Sequence, residues 1–227
     1  MSNPVVIIGG WLSNPRDYVG MAKVLANPPY QRIVYVTDFN RRRWFAVRDP
    51  NFRPVLDALA DTVHMALAET GADAVDIIGH SAGGRIARAY LGHLPFAGRV
   101  YNGQSHVHRL ITLGTAHATN EVWVATFAAI MDGQYPGAFY SHVKYRSVAG
   151  RSVRGRLIGT PEEILAYQSY SVSFTDGNVI GDGIIPEKCC YLSGADNLVL
   201  VGARHSPYVT PGSWYGATQI IPAWFED

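Results

Sequence analysis

Val75-Asp76-Ile77-Ile78-Gly79-His80-Ser81-Ala82-Gly83-Gly84 is the stretch on which the reading of this chain turns. Its first four residues are mostly apolar and β-branched, which predicts a buried strand over 75–78. A helix is expected to start just after Ser81 and to run through Ile86, Ala89 and Tyr90. Between the two lies Gly-x-Ser-x-Gly at 79–83, a weak signal by itself in a chain with 23 glycines. Its position gives it force. A serine between strand and helix sits on a sharp turn, where the residues two before and two after it tolerate little side chain. Such an elbow lifts the hydroxyl above the carboxyl ends of the strands, where open α/β sheets bind ligands. The helix that follows aims unpaired N–H groups and a partial positive charge at the same spot. Ser81 is therefore the candidate nucleophile, and the Ala82 N–H a candidate donor to a developing oxyanion.

Outward from this segment the alternation of strand and helix continues. Val5–Ile8, Ile33–Val36, Leu110–Leu113, Val143–Val148 and Leu198–Val201 read as further short apolar strands, the fourth of these the least marked. Continuous apolar strands are buried on both faces, as in a parallel sheet with helices above and below. Asn14 and Pro15 signal a helix start, with Tyr18, Met21, Ala22 and Leu25 at helical spacing behind them. Leu56, Leu59, Val63, Ala66 and Leu67 form another apolar stripe that stops before Gly71. The expected fold class is α/β: one domain over residues 1–227, with a mostly parallel, doubly wound sheet. Two long connections, 119–142 and 151–181, carry many aromatics and read either as covers over a site or as ordinary packing segments.

Bulk properties narrow the function. The chain has 227 residues, 48% of them hydrophobic and 16% charged, enough for one sizeable core. A formal net charge of +1 supplies no global field for nucleic acid or anionic membrane, so a small or neutral partner is expected. Cys189 and Cys190 are adjacent, which suits neither a disulfide nor a zinc site; reduced thiols in a cytoplasmic protein are expected. The apolar run at 5–8 ends at Gly9-Gly10, so neither a signal peptide nor a membrane span is read there.

The remaining chemistry is placed by chain order. A general base belongs on a late loop after a strand, and His205 follows Leu198–Val201. The orienting carboxylate belongs between Ser81 and that histidine. Asp182, flanked by Gly181 and Gly183, is the first choice, with Asp176 and Asp196 as rivals. Gly9-Gly10-Trp11 follows the first strand and offers the Trp11 N–H as the second oxyanion donor. Gly10 and His80, beside the donor and the nucleophile, and Trp123 and Tyr140, from the first long connection, are candidate substrate contacts.

Several of these segments resemble lipase- and esterase-like α/β-hydrolases, in particular a compact single-domain group of cyanobacteria and plants. The resemblance rests on Gly79–Gly84, Ile111–His117, Gly181–Pro186, His205-Ser206-Pro207, Tyr135–Tyr140 and Trp214-Tyr215-Gly216. It departs from the family at Ala116, where proline is more usual, and at Gly9, where lipases place a histidine beside the oxyanion glycine. The resemblance implies an α/β-hydrolase fold and cleavage of a carboxylic ester through an acyl-enzyme, without metal or organic cofactor. The aromatic connections suggest an apolar acyl or alkyl group. Arg41-Arg42-Arg43, if they receive a phosphate, suggest a thioesterase acting on CoA or a carrier protein instead. A non-catalytic protein that reuses the pocket is the rival from another class.

Overall fold

The structure, a computed structural model, is described over residues 2–47, 52–96, 98–119, 122–173, 176–208 and 211–225, with backbone alone at 122–126 and 173. Its main sheet holds β1 (Val5–Ile8), β2 (Val34–Val36), β3 (Val75–His80), β4 (Val107–Leu113), β5 (Lys144–Arg151) and β8 (Asp196–Val201). Two short strands, β6 (Val153–Arg154) and β7 (Ile180–Gly181), pair separately as an antiparallel ribbon. The main order is β2-β1-β3-β4-β5-β8, and every neighbouring pair is parallel. The chain moves from β1 outward to β2, then crosses back to β3 on the other side. The order therefore reverses between β1 and β3, which opens a crevice at their carboxyl ends.

Alternation along the strands feeds two cores. Val6, Ile8, Val75 and Ile77 face one side, packed under α3 (Arg53–Thr70) and α4 (Ala82–Leu91). Val5, Ile7, Ile78, Ile111 and Val148 face the other, under α1 (Val19–Ala26) and the C-terminal Trp214, Tyr215, Trp224 and Phe225. Each fully buried aliphatic side chain contributes about 1.5–3 kcal/mol, so the two-sided burial dominates the fold's stability. α3 begins with Pro54 in its first turn and ends at Gly71 in the left-handed conformation, as its sequence signals require.

Asp76 interrupts the apolar run of β3, yet it is buried. Its carboxylate accepts from Arg32 at 2.6 Å and Arg109 at 2.8 Å, with His108 Nδ1 at 3.1 Å. Both guanidinium groups lie over the Phe225 ring. A carboxylate is tolerated there because each oxygen has a partner and the neighbouring charge is positive.

Three segments left open by the sequence take definite form. Arg41–Arg43 open a short helix, α2 (Arg41–Ala46), capped by the Asn40 side chain. The first long connection holds α5 (Val122–Gln134), whose Phe127 and Met131 join the α3–α4 core. The second holds α6 (Pro161–Ser173), where Ala166 and Tyr170 pack on Val153. Among the described residues no helix is long and apolar enough to cross a membrane.

Candidate active site

Ser81 ends β3's turn and caps α4 with φ 54° and ψ −126°, a strained conformation for a residue with a side chain. The sheet and helix over-determine it. Ser81 N donates to the Leu113 carbonyl at 2.9 Å, and Thr115 Oγ1 donates to the Ser81 carbonyl at 2.9 Å. A Cβ on Gly83 would fall 2.7 Å from the Gly9 carbonyl, and one on Gly79 2.5 Å from Gly84 Cα. Those glycines let α4 start directly against the end of β1. Among the described residues Ala82 N, the first N–H of that helix, has no hydrogen bond.

The loop after β7 places Asp182, and the loop after β8 places His205. His205 Nδ1 donates to Asp182 Oδ2 at 2.7 Å, and His205 N donates to the Asp182 carbonyl at 3.0 Å. The other carboxylate oxygen, Oδ1, accepts from Ile185 N at 2.7 Å and Ile184 N at 3.0 Å. Burial opposes ionisation of Asp182, but the facing His205 and the two amides outweigh it and hold the carboxyl below its ordinary value. Its two sequence rivals lie elsewhere: Asp176 accepts from Asn178 N in a turn, and Asp196 pairs with Arg146 at the start of β8.

Ser81 and His205 share one small cavity of about 110 Å³, lined also by Gly10, Trp11, Leu12, Tyr18, His80 and Tyr208. Within the described residues Ser81 Oγ makes no hydrogen bond, so the hydroxyl and the imidazole face the same cavity without a hydrogen bond between them. Gly10 is pressed against the serine: a Cβ there would sit 2.7 Å from Ser81 Cβ. His80 lines the cavity but has both ring nitrogens engaged, with Tyr18 Oη at 2.9 Å and the His205 carbonyl at 3.1 Å. Burial, and then the nearby His205, push the His80 imidazole down to about 3.

Other expected contributors are placed elsewhere or lie outside the described residues. Tyr140 does not line this cavity; its hydroxyl meets His93 Nδ1 at 2.7 Å, and its ring packs with Tyr135 and Phe139 beside the α3–α4 core. The side chain of Trp123 lies outside the described residues. No described residue of 119–142 or 151–181 lines the cavity. Of the arginine triplet, Arg41 Nε donates to the Leu12 carbonyl at 2.8 Å and Arg43 to the Asp38 carbonyl at 2.5 Å, so both are occupied in holding loops.

The sequence reading missed Tyr18 and Tyr215. Tyr18 Oη accepts from Gly10 N at 3.0 Å, and Tyr215 Oη donates to Asp182 Oδ2 at 2.8 Å. Both are buried aromatics carrying a polar tip, and such tips need a partner. That requirement was the available signal, although it names no partner.

A family model described as the alpha/beta hydrolase fold matches residues 3–226. Among solved structures, a gene product of Listeria innocua superposes over 100% of this chain and 95% of its own, at 15% identity and a TM-score of 0.59. A CIB-like hydrolase from Thermoplasma acidophilum overlaps 92% of this chain and 79% of its own, at 15% identity and a TM-score of 0.47. A lipase-esterase related protein from Clostridium acetobutylicum overlaps 52% of this chain and 44% of its own, at 14% identity and a TM-score of 0.38. No curated protein matches the chain by sequence. Identities this low speak for the fold alone, and the family model spans nearly every residue: the chain belongs to the α/β-hydrolase fold family.

Proposed function

We propose that this protein is a serine hydrolase that cleaves small carboxylic esters through an acyl-enzyme. The observation that carries the reading is the strained Ser81, open to the same cavity as an imidazole whose far nitrogen is held by a buried, ionised Asp182. In this reading Ser81 Oγ attacks the ester carbonyl and passes its proton to His205 Nε2. The Ala82 and Trp11 amides receive the oxyanion. The tetrahedral adduct collapses, the Oγ–acyl bond stays, and the proton on Nε2 leaves with the alkoxide. Water then attacks the acyl group, gives its proton to Nε2, and the acid departs as the proton returns to Oγ. Throughout, Nδ1–H remains donated to Asp182, which fixes the tautomer and balances the transient imidazolium.

The cavity limits the acyl side. At about 110 Å³ it is small, which favours a short acyl chain over a fatty acyl chain. The exposed rings of Trp11 and Tyr208 stand at its rim, where an apolar alcohol group would lie. Cys189 and Cys190, both buried, are read as reduced thiols of a cytoplasmic protein.

A fluorophosphonate probe and an ester panel test the proposal together. One label per chain on Ser81, with Ser81→Ala unlabelled and slower in kcat by on the order of a million-fold, is the expected result. An unlabelled wild-type chain, or turnover that survives in Ser81→Ala, overturns it.

A further inference from the structure

Gly9, the first residue after β1, carries no side chain. The space is filled from elsewhere. A Cβ on Gly9 would come within 2.6 Å of the Tyr18 ring, so the absence of a side chain at 9 is what admits Tyr18 against the loop. Tyr18 closes a one-turn 3₁₀ segment, Pro15–Tyr18, whose entry is pinned by Asn14 N donating to the Asp17 carboxylate at 2.8 Å.

From the Tyr18 hydroxyl a line of hydrogen bonds crosses the floor of the site. Gly10 N–H donates to Tyr18 Oη at 3.0 Å, and Tyr18 Oη meets His80 Nδ1 at 2.9 Å. His80 Nε2 meets the backbone carbonyl of His205 at 3.1 Å. A carbonyl only accepts, so Nε2 carries the proton. Nδ1 then accepts from the tyrosine, whose oxygen accepts from Gly10. One tautomer and one hydroxyl orientation satisfy every group. Tyr18 and His80 are both buried, and Trp214 packs edge-on against both rings.

We infer that Tyr18 and His80 are positioning residues that hold the oxyanion loop, Gly9 to Trp11, and the backbone of His205 at a fixed separation across Ser81. The inference rests on the hydrolase reading above. Its chemical content is distinct from that reading, because neither side chain exchanges a proton with substrate. With its N–H committed to Tyr18, Gly10 is not an oxyanion donor; it orients the next amide, that of Trp11. At the other end the relay grips the main chain that carries the imidazole. Since misplacement of a donor by about 1 Å can lower the rate about a hundredfold, a relay spanning both loops governs turnover more than ground-state binding.

The test compares Tyr18→Phe with wild type on a short ester and on an alkylboronic acid, which mimics the tetrahedral adduct. Phenylalanine keeps the ring packing and deletes the hydroxyl. The expected result is a kcat lower by about tenfold to a hundredfold, KM within about twofold, and boronate affinity reduced by the same factor as kcat. His80→Gln, which can still accept from Tyr18 and donate toward residue 205, retains more turnover than His80→Leu. A Tyr18→Phe protein with wild-type kcat and boronate affinity overturns the inference. So does a drop in thermal midpoint with no change in the kcat-to-KM split. If Tyr18→Phe does not fold, the histidine pair decides: equal loss in Gln and Leu overturns it. Fluorophosphonate labelling keeps the two readings apart, since Tyr18→Phe should still label to one equivalent, more slowly, whereas failure of the hydrolase reading leaves wild type itself unlabelled.

Discussion

Tyr215 Oη and His205 Nδ1 converge on one atom: Asp182 Oδ2 accepts from the first at 2.8 Å and from the second at 2.7 Å. With the two amides on Oδ1, the buried carboxylate has four donors and is fixed in plane and position. Asp182→Asn puts an amide where the imidazole N–H must donate, and kcat is expected to fall by roughly ten-thousand-fold. Tyr215→Phe removes one donor of four and should lower kcat by less than about tenfold, while costing about 1–2 kcal/mol of stability. Steady-state kinetics and denaturant unfolding of the two variants check the order. A Tyr215→Phe loss as large as that of Asp182→Asn contradicts it.

At the opposite end of β3 from Ser81, Asp76 holds Arg32 and Arg109 together. Burial works against its charge, yet Arg109, His108 and Arg32 hold the carboxyl below its ordinary value. The sign follows from linkage. A depressed carboxylate stabilises the fold fully above its unfolded value of about 3.9, and that contribution is lost as pH falls through the folded value. Asp76→Asn should therefore destabilise at neutral pH by about 3–5 kcal/mol, because two buried guanidinium groups lose their counter-charge. It should also flatten the acid limb of the stability curve. Urea unfolding of both proteins between neutral and acid pH measures both effects.

His80 carries a second pH signature. Its imidazole is pushed to about 3, far below the free value of 6.5, so the unfolded chain takes up a proton that the fold refuses. Its contribution is complete above about 6.5 and disappears as pH drops toward about 3. His117, lowered by burial and by Arg88 and Arg85, acts in the same direction. The thermal midpoint should decline from pH 6.5 downward, and His80→Gln should decline less steeply. Parallel curves for the two proteins count against a neutral buried His80.

Acyl length is a further handle. Given the small cavity, acetyl and butyryl esters of one alcohol should exceed the palmitoyl ester in kcat/KM by at least about tenfold. A panel of matched aryl esters settles the ranking, and a fastest long-chain ester refutes the small acyl site.

Much of the architecture was readable from residue order. The strand at 75–78, the turn at Ser81 and the helix behind it occupy the positions that periodicity and glycine spacing require. β5 starts at Lys144 and runs to Arg151, past the end of its apolar stretch, because pairing with β8 extends it through Gly150. What escaped was much that is decided by contacts distant in sequence. Asp76 sits in a strand that reads as apolar, and its partners lie at 32, 108 and 109. The aromatics of 119–142 left a cover and ordinary packing equally open; Tyr135 and Tyr140 use their hydroxyls on Leu94 N and His93. No local pattern separates an aromatic that fills a core from one that lines a cleft. His80, next to the nucleophile, was legible as a contact of the site; that it reaches Tyr18 and the His205 carbonyl was not.

The two loops bordering Ser81 come from the far ends of the chain, one behind β1 and the other behind β8, an edge strand. During synthesis the serine and its elbow emerge early, while the imidazole arrives only with the last strand. A nascent or prematurely terminated chain ending before β8 would carry the hydroxyl with nothing to deprotonate it. Under the proposed mechanism, docking of that edge strand is the event that arms the molecule.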